Sequence, residues 1–151
     1  MYSIYHGRDG LEQIYDKIHI NTKVLKKCLE MIYIDVISNT FFDTLVIDDL
    51  DSNKISRDLQ DKGYLVRYID KNRFSITMDE TIQTTDIIDI LNIIKKTIGN
   101  ESCPGIFNKN NMYRYKETVF NTIPNNLIRN TYILEDDIFK KYRSETELMR
   151  Y

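Results

Sequence analysis

Apolar residues recur as Leu11, Ile14, Ile18, Leu25, Cys28, Leu29 and Ile32, the three- and four-residue spacing of one helical face. The pattern predicts a long helix running to about Tyr33. Residues 41–47 (FFDTLVI) then form a short aromatic and β-branched run, the composition of a strand. Asp51 or Ser52 can cap a short helix that carries Ile55 and Leu59 and stops at Gly63. Residues 64–69 read as a second strand. The polar Asp70-Lys71-Asn72 turn leads into a third, over residues 73–78. Thr84 or Thr85 opens another helix, with Ile87, Ile90, Leu91, Ile94 and Ile98 on its apolar face and Gly99 at its end.

The order is β-α-β-β-α behind a long leading helix. It predicts an α+β fold in which helices pack on one face of a small, mostly antiparallel sheet. Leu45, Ile47, Leu59, Ile76, Leu91 and Ile94 are the expected shared core. Three segments follow: a leading helix over 1–40, a small α+β domain over 41–99, and an extended arm over 100–151. The arm is polar and turn-rich to residue 143, with Phe107, Phe120, Ile123, Leu127, Ile133 and Phe139 as scattered anchors that need another surface. Ser144-Glu145-Thr146-Glu147 is a capping box, a helix start signal, yet only about two turns follow it. That arrangement is what truncation would leave.

Composition adds little to this picture. The 151 residues are 42% hydrophobic and 29% charged, ordinary for a soluble globular protein. No apolar run reaches the ~20 residues of a membrane span, and the N-terminus lacks the layout of a secretory signal, so the cytosol is expected. The net charge of −2 comes without a basic patch. Together with the lack of an RNP1-like aromatic strand, it argues against an RNA-binding domain of the same element order.

Candidate chemistry is thin. The 5 glycines form no phosphate-binding loop. Cys28 and Cys103 are not in metal-ligand spacing; Cys28 falls on the apolar helix face and is expected to be a buried thiol, and Cys103 an inert turn residue. His19 is expected to pack or to lie on the surface, and His6 to serve a local capping or hydrogen-bonding role at a helix entry. Glu135-Asp136-Asp137 reads as a solvated acidic face, Asp79-Glu80 as a turn or helix-start charge, and Arg67 as the partner of a carboxylate. No catalytic constellation emerges.

Four motifs nevertheless stand in a recognisable order. Tyr5-His6-Gly7-Arg8-Asp9-Gly10-Leu11 resembles the Y-H-G-x-x-G-L of the glycine decarboxylase P-protein family, and Phe41-Phe42-Asp43-Thr44-Leu45 resembles its F-F-D-T-L. Residues 67–81 (RYIDKNRFSITMDET) are similar to R-x-x-D-x-x-x-x-G-I-S-L-D-E-T, and residues 142–151 (YRSETELMRY) to Y-H-S-E-T-E-x-x-R-Y. The resemblance implies the small domain of a PLP fold-type I protein, from the first, scaffold-like half, with the leading helix joining large and small domains. The complete enzyme would use PLP, decarboxylate glycine and pass the aminomethyl group to lipoyl H-protein. Its Schiff-base lysine would lie in a second half or subunit, the expected partner. No H-K-T lysine motif is present, so the resemblance assigns no catalytic, cofactor-binding or metal residue to this chain, and no PLP. The family's L-T-H-P-x-F appears as Leu134-Glu135-Asp136-Asp137-Ile138-Phe139, Arg143 stands where the family has His, and Ser75 where it has Gly. Those departures forbid transferring a site role to these positions. An internal piece of P-protein is the expectation, with a free docking module or an inactive remnant as alternatives.

Overall fold

The computed structural model describes residues 1–48, 50–99, 108–118 and 123–151. Their contacts divide into two compact units, one of residues 18–123 and one of residues 1–17 with 124–151. Helix α1 (Tyr2–Met31) contributes its beginning to the second of these and its remainder to the first.

The larger unit carries the sheet. Strand β1 (Thr44–Ile47) pairs antiparallel with β3 (Phe74–Thr77), and β3 pairs antiparallel with β2 (Arg67–Tyr68), giving the order β1-β3-β2. The register sets Leu45 opposite Ile76 and Ile47 opposite Phe74, so alternation puts all four on one face, and all four are buried. Ile55 and Leu59 of α2 (Ser52–Gln60), and Ile87, Leu91 and Ile94 of α3 (Thr84–Thr97), complete that core with Val24, Leu25, Leu29 and Ile32 of α1. Each such side chain contributes about 1.5–3 kcal/mol on leaving water. The six residues expected to share the core are among those buried.

The strands are shorter than the apolar runs that announce them, for local reasons. Phe41 and Phe42 turn to enclose His19, whose Nδ1 lies 3.0 Å from the Phe42 carbonyl, so β1 begins only at Thr44. The Tyr64 N–H wraps back onto the Leu59 carbonyl (3.0 Å), and the Ile69 N–H turns onto the Arg73 carbonyl (3.1 Å). Two residues remain for β2. Arg67 on this edge strand is exposed and forms no ion pair among the described residues, where a carboxylate partner was expected.

Helix ends follow backbone hydrogen-bond supply. Asp51 caps α2, its Oδ1 accepting from the Lys54 N–H at 3.2 Å, while Ser52 turns inward and donates to the Asp70 carbonyl. α3 opens at Thr84, one of the two expected threonines, behind Gln83 as its cap, whose N–H donates to the Asp86 carboxylate at 2.7 Å. Gly63 (φ 87°) and Gly99 (φ 69°) take the left-handed conformation after α2 and α3 that glycine adopts without a Cβ penalty.

Helix α4 (Lys109–Thr118) lies inside the segment expected to be an extended arm. Asn108 Oδ1 accepts from the Asn111 N–H at 2.9 Å, and Met112 is buried with its sulfur 3.9 Å from Cys28 Sγ. Tyr115, three residues on, packs against the same core. Cys103, Phe107 and Phe120 lie outside the described residues.

The smaller unit comprises the start of α1, a 3-10 turn at Asn125–Leu127, α5 (Ile138–Lys141) and α6 (Glu145–Arg150). The capping box forms as expected: the Glu147 N–H donates to Ser144 Oγ at 3.2 Å, and the Ser144 N–H to Glu147 Oε2 at 3.1 Å. Among the described residues, this unit contributes no member of the buried apolar core.

Candidate functional site

The first and last of the four motifs meet within the smaller unit. Gly7 interrupts α1 with φ 62° and ψ −171°, a conformation that costs an L side chain roughly 1–2 kcal/mol. A Cβ at Gly7 would stand 2.9 Å from Arg143 Nη2 and 3.0 Å from its Cζ, so the guanidinium occupies the space that glycine leaves free. The backbone therefore favours glycine here, and the Arg143 guanidinium as placed uses the room that glycine leaves.

Arg143 lines a cleft of about 280 Å3 with Arg8, Asp9, residues 132–135, Phe139 and Lys140. Arg8 is held on both sides. Its Nε donates to Glu12 Oε1 at 2.8 Å, and its guanidinium carbon lies 4.1 Å from the centre of the Tyr132 ring. The Glu12 contact raises the Arg8 pKa further. Leu134, also in the lining, has φ 54°, an uncommon state for a branched side chain. A second, more apolar groove runs beside Met1, Tyr2, Ile4, Tyr5, Tyr142 and Leu148.

The other expected residues take structural places. Of the two places open to it, His19 takes the buried one, and it stacks on Phe42 with ring centres 5.8 Å apart. His6 sits 4.4 Å from the Tyr2 ring and 5.0 Å from the Tyr5 ring, and its Cβ closes the space over Gly10. Burial pushes the Cys28 thiol up to about 12, far from a reactive thiolate. Asp79 accepts from the Thr81 N–H at 2.8 Å, a turn role. Asp137 pairs with Lys141 at 2.8 Å on the surface, which lowers its pKa. Among the described residues no group of three His, Cys, Asp or Glu side chains could hold a metal, and no helix is long and apolar enough to cross a membrane. The Arg8–Arg143 cleft itself left no sequence signal, since its cations lie about 130 positions apart.

A family model described as glycine cleavage system P-protein matches residues 1–94. The chain belongs to the P-protein family. Relatives extend the likeness to the end of the chain. It is 33% identical over 156 residues, 99% of its length, to a mitochondrial protein of Schizosaccharomyces pombe provisionally named glycine dehydrogenase (decarboxylating). It is 32% identical to a Nostoc sp. protein and 30% identical to a Synechocystis sp. protein, both named glycine dehydrogenase (decarboxylating), over 100% of its length in each case. The chain spans about 15% of the length of these relatives.

The family's complete enzyme uses PLP, and the lysines offer a fit test. A Schiff-base lysine needs an enclosed, desolvated setting that lowers its pKa. No described lysine is buried; Lys140, in the cleft, is exposed. The residues present do not fit PLP as a group resident on this chain.

Proposed function

We propose that this chain serves as a scaffold segment of a PLP-dependent glycine decarboxylase, the P-protein of the glycine cleavage system, in the cytoplasm. Residues 1–40 join large and small domains, 41–99 form the small domain of a PLP fold-type I half, and 100–151 form the arm. The complete enzyme decarboxylates glycine, with PLP as the electron sink, and transfers the aminomethyl group to lipoyl H-protein. The Schiff-base lysine belongs to the partner half, and the segment's part is to dock on that half and position it.

The observation that carries this reading is the asymmetry between the units. The buried apolar residues lie in 18–123, whereas Met1, Tyr5, Leu127, Tyr132, Met149 and Tyr151 of the smaller unit are each at least 64% exposed. Ordering a backbone costs about 1–2 kcal/mol per residue, and this unit has no apolar core of its own to offset it. An apolar surface of that kind fits an interface with another polypeptide.

The test is sedimentation of the chain mixed with a P-protein polypeptide that carries the PLP lysine and lacks this segment. A one-to-one complex is expected, weakened about tenfold or more by Met149→Glu with Tyr151→Glu. No association at about 100 μM, where even a micromolar interface registers, would reject the reading.

A further inference from the structure

We infer that the cleft between Arg8 and Arg143 binds a small oxyanion, a phosphate or a carboxylate. Three cationic side chains, Arg8, Lys140 and Arg143, face one concavity of about 280 Å3. Like charges gathered in this way repel each other unless something neutralises them. Arg8 has Glu12, at 2.8 Å. Among the described residues, no carboxylate oxygen lies within 4.0 Å of Lys140 Nζ or of the Arg143 guanidinium. Asp9 and Glu135 also line the cleft, yet they stand off at that distance, so two of its three cations lack a paired acid.

The surroundings hold these cations in place. Tyr132 under Arg8 fixes the plane of that guanidinium at 4.1 Å. Gly7 leaves room for the Arg143 guanidinium beside it, 2.9 Å from where a Cβ would stand. Arg143 Nε reaches the Phe139 carbonyl at a long 3.4 Å, while its Nη2 lies beside Gly7 at the edge of the cleft. Left-handed Leu134 turns the wall between Tyr132 and Glu135, and such strain persists only where surrounding structure enforces it. A planar guanidinium offers paired N–H groups to two oxygens of one phosphate or carboxylate, and the Lys140 ammonium supplies a point charge beside it.

This inference stands apart from the docking reading, because either can fail without the other. The experiment is a two-dimensional amide NMR titration of the full chain at low ionic strength, with inorganic phosphate in one arm and acetate in the other. Saturable shifts confined to amides near residues 8–9 and 132–143 are expected, with millimolar affinity. Stronger binding of phosphate assigns a phosphoryl ligand; equal binding assigns a carboxylate. Arg143→Gln and Lys140→Gln should each weaken binding about fivefold, and Arg143→Lys should restore part of it. Lys62→Gln with Lys96→Gln, on the α2–α3 surface, should change nothing. Unaltered core resonances in each variant show that the fold survives. Equal affinity in the Arg143→Gln, Lys140→Gln double variant, or no saturable shift by about 50 mM of either anion, would overturn the site.

Discussion

At the scale of single residues, the chain uses its chemistry for packing. Cys28 is a neutral thiol held among Leu25, Leu29 and Met112, and burial raises its pKa to about 12. Its linkage sign follows. A thiol whose folded pKa exceeds the unfolded value contributes stability below the unfolded pKa, and that contribution is lost as pH rises through the folded value. Cys28 should therefore resist alkylation at pH 8, and peptide mapping should find it labelled only after denaturant unfolds the core. Gly7 makes a second prediction. Gly7→Ala combines a left-handed φ of 62° with a 2.9 Å clash against Arg143, and should destabilise the smaller unit by about 1–3 kcal/mol. Adding Arg143→Ala should recover the steric share and leave the conformational share. Amide exchange at residues 8–12 measures both.

At the scale of elements, legibility tracked how each element is stabilised. The helices over 52–60 and 84–97 and the strands at 44–47 and 74–77 were visible because Ile55, Leu59, Leu45, Ile47, Ile76 and Leu91 repeat at the period of their own element. Helix α4 was not visible. Its face rests on Met112 and Tyr115 in an otherwise polar stretch, and a further contact is the Lys116 Nζ bond to Thr84 Oγ1 at 3.2 Å, far away in sequence. Strand β2 is shorter than its apolar run because the Tyr64 N–H turns back onto the Leu59 carbonyl and Tyr64 and Val66 pack on the core ahead of the ladder. The α6 cap was legible, since Ser144 and Glu147 need only each other. Ser144→Ala should cost α6 about 1 kcal/mol, read as faster exchange at Glu147 and Leu148. The Ser144 N–H and hydroxyl contacts hold the Glu147 carboxyl below its usual range. The cap therefore stabilises above the ordinary carboxylate pKa and weakens as pH falls through the lowered folded value, a loss that Glu147→Gln should largely remove.

At the scale of the whole molecule, one unit is built around a core and the other displays its apolar residues. Phe74→Ala should cost the larger unit about 3–5 kcal/mol, seen as a lower thermal midpoint for the sheet. The motifs identified the family without revealing that the first and last of them meet at Gly7 and Arg143, because sequence order holds no distance between residues more than a hundred positions apart. The central claim, a scaffold segment that docks through its smaller unit, is tested most directly by amide hydrogen exchange on the chain alone and mixed with the lysine-bearing P-protein half. Residues 1–17 and 124–151 should exchange faster than the sheet in the free chain and gain protection in the mixture, while β1 and β3 stay protected in both. Protection of 124–151 equal to that of the sheet in the free monomer, with no further gain on mixing, would contradict the account.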